Sequence, residues 1–210
     1  GDFYMMGTLL QNCIFSGEQI NIVGSASATS GVVLLSITFK DFILVDIIGR
    51  VDEFALSPEG IPGVSIVSGG VFLDPKDNSN SNFRINENSV EPPYVGFVCA
   101  DQDMTGFKLL GGKCDILING DILKPFNSGT CDLVFDTTVS ALQESGRHYS
   151  IDILGGMYVE SGDIAFDGMT SLILHDITLL ENGQLEFFNV DTLQLCSHLF
   201  AGGISIDTND

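Results

Sequence analysis

The histidines and serines are the side chains with which a search for catalysis or metal binding in this sequence begins. His148, His175 and His198 are the only histidines, and they form neither a His-x-His pair nor a Cys/His spacing that would hold zinc. The sequence has no Gly-x-Ser-x-Gly motif for a hydrolase serine, and no glycine loop ends in Gly-Lys-Ser/Thr to bind phosphate. We therefore interpret the histidines as structural and favour a non-catalytic protein.

Paired carboxylates are the remaining route to an enzyme. Even spacings place two side chains on one face of a strand, and three aspartate pairs have them: Asp46 with Asp52, Asp132 with Asp136, and Asp163 with Asp167. Two such acids across a cleft are the machinery of glycoside hydrolysis. A polysaccharide lyase would also need a basic residue, for which Arg50, Lys108 and Arg147 are scattered candidates. Because the chain has 28 acidic residues, such pairs arise by chance, and a glycan-active enzyme is the alternative hypothesis.

One polar loop has the side chains of a calcium site. Asp74, Asp77, Asn78 and Asn80 offer the oxygen ligands that Ca²⁺ prefers. Lys76 occupies a ligand position, however, and the central glycine of an EF-hand loop is missing, so a solvated loop is the preferred interpretation. Apart from this possible Ca²⁺ site, the sequence predicts no cofactor.

The composition restricts the partners. Eight Lys and Arg against 28 Asp and Glu give a formal net charge of −20, which repels phosphate backbones, so we expect no nucleic-acid binding. The apolar runs are too short for membrane insertion. A mean hydropathy of +0.30 with only 17% charged residues predicts a surface covered by copies of the same chain or by other structural subunits. Neutral glycans remain compatible partners.

The five cysteines indicate the compartment. They are odd in number and contain no Cys-x-x-Cys motif, and most lie among apolar, strand-like neighbours. We interpret them as small core residues of a protein assembled in a reducing compartment.

One sequence pattern recurs along the chain: an apolar strand, a glycine pair and a second apolar strand. The second glycine of each pair falls at 70, 112, 156 and 203, in steps of 42, 44 and 47 residues. No helical periodicity is long, so the sequence predicts an all-β protein. We expect a single domain over residues 1–210, with a possible boundary in the polar stretch 74–93.

Turn chemistry favours an antiparallel architecture. Asn119-Gly120 and Asn182-Gly183 separate apolar strands in the manner of two-residue type I′ hairpins, with Ser161-Gly162 a weaker case. The leading prediction is therefore an antiparallel sandwich or barrel of jelly-roll type. A repeat near 44 residues also suits propeller blades, but no blade signature recurs.

The glycine phrase also resembles the coil corners of right-handed parallel β-helix proteins of the pectin-lyase-like and phage tail-spike kind. The clearest matches are residues 64–72 and 151–158, with weaker ones at 171–176 and 202–207. The resemblance implies a fold used for rigid virion or extracellular fibres and for glycan processing. It is the second architecture that we predict.

These inferences lead to one functional hypothesis with two alternatives. We expect a non-catalytic structural or attachment protein that self-assembles in a virion, fibre or cell-surface layer. The alternatives are a glycan-active β-helix hydrolase or lyase and a carbohydrate-binding β-sandwich.

Overall fold

The described part of the computed structural model consists of strands, turns and corners. It covers residues 3–6, 9–24, 32–49, 63–76, 80–87, 95–98, 104–119, 122–124, 133–136, 149–153 and 157–207. The all-β prediction is confirmed. The strands are β1 (Phe3–Met6), β2 (Leu9–Gln11), β3 (Ile14–Ser16), β4 (Gln19–Val23), β5 (Val32–Phe42), β6 (Leu44–Ile48), β7 (Val64–Pro75), β8 (Asn80–Ile85), β9 (Val95–Val98), β10 (Met104–Leu109), β11 (Lys113–Ile118), β12 (Ile122–Lys124), β13 (Leu133–Asp136), β14 (Tyr149–Ile153), β15 (Met157–Asp167), β16 (Ser171–Phe188), β17 (Leu193–Phe200) and β18 (Gly203–Asp207).

The strands pair in parallel, each with the equivalent strand of the next coil. Face A stacks β1, β4, β6, β8, β11, β14 and the first parts of β16 and β17. Face B stacks β2, β9, β12, the first parts of β5, β7 and β15, the middle of β16 and the end of β17. Face C stacks β3, β10, β13, β18 and the last parts of β5, β7, β15 and β16. The chain thus winds through three faces as a parallel β-helix.

The predicted antiparallel sandwich or barrel is therefore wrong, and with it the scaffold for a carbohydrate-binding β-sandwich. The error lies in the turns that we interpreted as hairpins. Asn182 and Gly183 lie inside the continuous strand β16, which alone crosses all three faces of one coil. Ser161 and Gly162 likewise lie inside β15. Asn119 follows β11, which pairs with β8 and β14 of the neighbouring coils.

Corner residues explain why these sequences looked like hairpin turns. A turn of the coil needs backbone in the left-handed region, which Gly, Asn and Asp adopt at the least cost, and the same residues favour type I′ turns. Asn12, Ser36 and Gly69 have positive φ at the corner between faces B and C, whereas Asn189 and Gly112 do so at the corner between faces C and A. Asparagine and glycine therefore mark a bend in this chain without fixing the direction of the next strand.

The glycine pairs do not mark a structural repeat. Gly69-Gly70 and Gly202-Gly203 lie between faces B and C, but Gly111-Gly112 lies between faces C and A. Gly155-Gly156 lies outside the described residues. The face A strands begin at residues 3, 19, 44, 80, 113, 149, 171 and 193. Coils that vary so much in length leave no constant period in the sequence.

The core is an apolar column inside the coils. Alternate residues of each strand point inward, so that stacked strands place Ile20, Val45, Phe83 and Ile116 in register and almost fully buried. Phenylalanines also stack along the column: ring centroids are 5.7 Å apart from Phe15 to Phe39, 5.5 Å from Phe39 to Phe83 and 5.4 Å from Phe83 to Phe107. The outward residues of the same strands form the three faces.

Two further sequence predictions concern the chain as a whole. Strand β8, within the stretch 74–93, pairs on one side with β6 and on the other with β11, and the single-domain assignment stays a prediction. The described residues include no helix long and apolar enough to cross a membrane.

Candidate functional site

The structure places only part of the predicted calcium loop. Asp74 lies in β7, in register with Lys40 of the preceding coil, and Asn80 is the exposed first residue of β8. Asp77 and Asn78 lie outside the described residues. Among the residues that are described, no group of three His, Cys, Asp or Glu side chains could hold a metal ion. The Ca²⁺ site stays a prediction.

One histidine lies beside a cysteine: His175 of β16 is the register partner of Cys196 of β17. His198 stacks on Phe200 with ring centroids 4.5 Å apart, and His148 lies outside the described residues. The structural role of the histidines stays a prediction. Cys114 is buried and its pKa is raised far above the ordinary value, first by loss of solvent and then by the charge of Asp115. A thiol kept protonated in this way is an inert core residue.

Of the predicted carboxylate pairs, the structure describes the side chains of Asp46 and Asp167. The side chain of Asp163 lies outside the described residues, so its pairing with Asp167 stays a prediction. Asp167 is the register partner of Asp136 on β13. Asp167 Oδ1 accepts a hydrogen bond of 2.9 Å from Asn189 Nδ2.

The other two pairs each have one member outside the described residues, Asp52 and Asp132. Asp46 is described, and its register partner on the next coil is Arg84 rather than a second acid. Arg84 also lines a concavity on the surface of the described residues.

The concavity lies on the outside of face A and has a volume of about 290 Å³. Its centre is a row of outward positions from successive coils, in which Arg84, Leu117, Asp152 and Ile173 are register neighbours. Neighbouring strands in such a row are about 4.8 Å apart. Asp115, two residues before Leu117 on the same face of β11, also lines it. We call this the face A groove.

At one end of the face A groove, a positively charged side chain lies beside negatively charged ones. Arg84 Nη1 lies 2.7 Å from Glu87 Oε2, in a close ionic contact that lacks hydrogen-bond alignment. Beside this pair, burial raises the pKa of Asp46, the charge of Arg84 partly offsets that rise, and Glu87 adds to it. The guanidinium of Arg84 therefore interacts with two carboxylates, those of Glu87 and Asp46.

At the other end of the face A groove, the carboxylates have no lysine or arginine beside them among the described residues. Asp152 Oδ1 is buried without a hydrogen bond, and His175 Nε2 is 3.7 Å away, too far to donate one. Among the described residues, neither Asp115 nor Asp152 has a lysine or arginine within ion-pair distance. The groove thus joins an acceptor-rich end to aliphatic side chains.

Sequence reasoning missed this site. Arg84 lies in the polar stretch 74–93, where we predicted a possible domain boundary, although Phe83 and Ile85 alternate with polar Asn82 and Arg84 in the manner of a strand with one buried face. That alternation was the available signal. Nothing in the sequence brings residues 84, 117, 152 and 173 together, since only the coiling does so.

Comparison with known protein families, with curated proteins and with solved structures finds no match for this chain.

Proposed function

We propose that this chain is a non-catalytic structural or attachment protein that assembles with copies of itself in a virion, fibre or cell-surface layer. The observation that carries the proposal is the exposed inward row of the coil formed by β17 and β18, the last coil that the structure describes. A three-faced coil buries its apolar column by stacking on its neighbours, so an exposed inward row leaves apolar side chains in contact with solvent.

The inward row of the last coil is uncovered. Ile204 and Ile206 are register partners of Leu185 and Phe187, which are at most 1% exposed. Ile204 is 38% exposed and Ile206 57%, because no described strand lies beyond them. These two side chains have the position of core residues and the exposure of surface residues.

The backbone of β18 is paired on one side. Among the described strands, β18 pairs with β16 alone, and no described strand pairs with its other edge. Such an edge is a template for a further parallel strand. A second copy that adds a coil here would satisfy the backbone and cover Ile204 and Ile206 at the same time.

Apolar residues on the outer faces of the coils also support a surface that other subunits cover. Outward positions of β5 and β6 carry the apolar residues Val33, Leu35, Leu44 and Ile48, which are only partly buried by their own coil neighbours. The free thiols of Cys13, Cys114 and Cys196 support folding in a reducing compartment before assembly.

Light scattering after size exclusion tests the proposal on the whole 210-residue chain. We expect a mass that is a multiple of 22.5 kDa and that grows with salt, because salt screens the repulsion between copies of charge −20. Ile204→Lys should return the chain to a monomer. Leu110→Lys is the matched control, since Leu110 is also 38% exposed but lies away from the last coil. A wild-type monomer at every salt concentration would refute the proposal.

The second candidate is a glycan-active hydrolase. It is favoured by one observation, the register pairing of Asp136 with Asp167 on neighbouring coils of face C. A panel of neutral and acidic polysaccharides tests it, with Asp136→Asn and Asp167→Asn as the variants. Hydrolysis that both variants abolish would support the enzyme, and no turnover across the panel would remove it.

A further inference from the structure

We propose that Cys196 is a reactive thiol that exchanges with small uncharged or cationic disulfides, with His175 as its base and Asp152 as a positioning residue. The three side chains lie on face A of three neighbouring strands, β14, β16 and β17. None of them belongs to the inward row of the last coil, on which the proposed function rests. A reactive thiol at this position therefore does not depend on self-assembly.

Cys196 and His175 are neighbours at one corner of the coil. They are register partners in the parallel pairing of β17 with β16, and such strands are about 4.8 Å apart. Each is followed by a corner residue of positive φ, Asp176 at 46° and Ser197 at 54°, so both residues end face A at the same place. Because the two side chains lie on the same outer face, the thiol can reach a ring nitrogen by a change of rotamer.

Asp152 lies on the other side of the imidazole. Its Oδ1 is 3.7 Å from His175 Nε2 and is buried without a hydrogen bond. That distance is too long for a hydrogen bond in the resting protein, but contacts of this kind are often loose until the reactants are in place. The carboxylate attracts the positive charge that the imidazole gains when it takes up a proton. Asp152 thus orients the ring and leaves Nδ1 of His175 for the thiol.

The sulfur of Cys196 faces a hydrogen-bond donor, whereas that of Cys13 faces an acceptor. Gln194 Nε2 donates to Cys196 Sγ at 3.3 Å, and an N–H in this position stabilises the negative charge of an attacking sulfur. Cys13 Sγ instead donates to Gln11 O at 2.9 Å, a contact that this sulfur must give up before it attacks. Both cysteines are free and partly buried, so Cys13 is an internal reference of similar exposure.

The chemical step is a thiol–disulfide exchange. His175 takes the proton of the Cys196 thiol, the sulfur attacks one sulfur of the disulfide, and a new S–S bond forms as the old one breaks. The departing thiolate takes the proton from His175 and leaves as a thiol. One disulfide is consumed and one mixed disulfide forms, without any other oxidant or reductant. The net charge of −20 favours uncharged and cationic disulfides over anionic ones.

Mass spectrometry of the whole 210-residue chain after timed reaction with hydroxyethyl disulfide tests the proposal. Digestion after quenching assigns each adduct to a cysteine and gives the rates at Cys196 and Cys13 in the same sample. We expect Cys196 to react on the order of tenfold faster than Cys13. Dithiodiglycolate, an anionic disulfide, should react with Cys196 more slowly than hydroxyethyl disulfide does.

His175→Ala should lower the Cys196 rate about tenfold and leave the Cys13 rate unchanged. Because this truncation opens space beside the thiol, steric hindrance cannot cause the decrease. Imidazole added to the buffer should restore part of the Cys196 rate, which a merely structural histidine would not allow. Asp152→Asn should lower the rate about threefold and Asp152→Glu by less, since glutamate keeps the carboxylate.

The matched control is His198→Ala, which removes the exposed histidine of β17 on the far side of the corner and should leave the Cys196 rate unchanged. His175→Gln, which keeps a polar side chain of similar length, should show the same loss as His175→Ala, and circular dichroism checks that each variant folds. Equal rates at Cys196 and Cys13 in the wild type, an unchanged Cys196 rate in both His175 variants, or an equal loss in His198→Ala would each overturn the proposal.

Discussion

Asn86 gives the sharpest test of how the coil corners are stabilised. It is fully buried, its φ is +61°, and its Oδ1 accepts a 2.9 Å hydrogen bond from the backbone N–H of Gly49 on the preceding coil. The backbone of Asn86 makes separate bonds, donating to Ile47 O at 2.8 Å and accepting from Asn119 Nδ2 at 3.5 Å. A change of the side chain therefore removes the bond to Gly49 and leaves the backbone bonds in place.

Asn86→Ala should lower the free energy of unfolding by about 3 kcal/mol. A buried N–H left without an acceptor costs about 1–3 kcal/mol, and alanine adopts the left-handed region less readily than asparagine, at a further cost of up to about 1–2 kcal/mol. For a chain of this size, each kcal/mol lowers the Tm by about 2–4 °C, so we expect a decrease of about 6–12 °C. Calorimetry measures the Tm, and urea titration followed by circular dichroism gives the free energy.

Two further variants separate the contributions. Asn12→Ala places alanine at a corner with φ of +49° on an exposed residue, so it should cost about 1 kcal/mol. Asn86→Gly lacks the acceptor but tolerates the backbone angle, so it should recover up to about 1 kcal/mol relative to Asn86→Ala. If Asn86→Ala cost no more than Asn12→Ala, the buried hydrogen bond would not be what stabilises the corner.

Three other outcomes are expected. Gly112→Ala should destabilise the protein by about 1–3 kcal/mol, because φ is +73° and the new Cβ would lie 2.9 Å from the ring of the proline that ends β7. Gly111→Ala should be nearly neutral, because only an aspartate oxygen 4.0 Å away lies near its Cβ position. Equal unfolding free energies for the two variants would contradict this prediction. Asp46→Asn should raise the Tm at pH 7 and not at pH 3. Burial raises the Asp46 pKa, so the wild type loses stability as the pH rises through that pKa. A lower Tm for the variant than for the wild type at pH 7 would contradict this prediction. Cys114 should resist alkylation in the native chain while the partly buried thiols of the first and last coils react, as mass spectrometry of the labelled protein would show; rapid labelling of Cys114 would contradict its burial.

The sequence by itself determined the class of the fold and much of its local structure. Short apolar runs broken by Gly and Asn exclude long helices, and alternation such as that of residues 82–85 decides which side chains are buried, because strand side chains alternate between faces. The buried position of Cys114 follows from the same local pattern.

Only the tertiary structure decided the direction of pairing and the composition of the groove. Asn182-Gly183 has the sequence of a type I′ hairpin, yet it lies within β16, because β15 pairs with it in parallel and β18 pairs with the residues that follow from Gln184 onward. The face A groove joins Arg84, Leu117, Asp152 and Ile173 from four coils. Coil lengths vary from 16 residues between the starts at 3 and 19 to 36 between those at 44 and 80, so no spacing in the sequence predicts which residues become register neighbours.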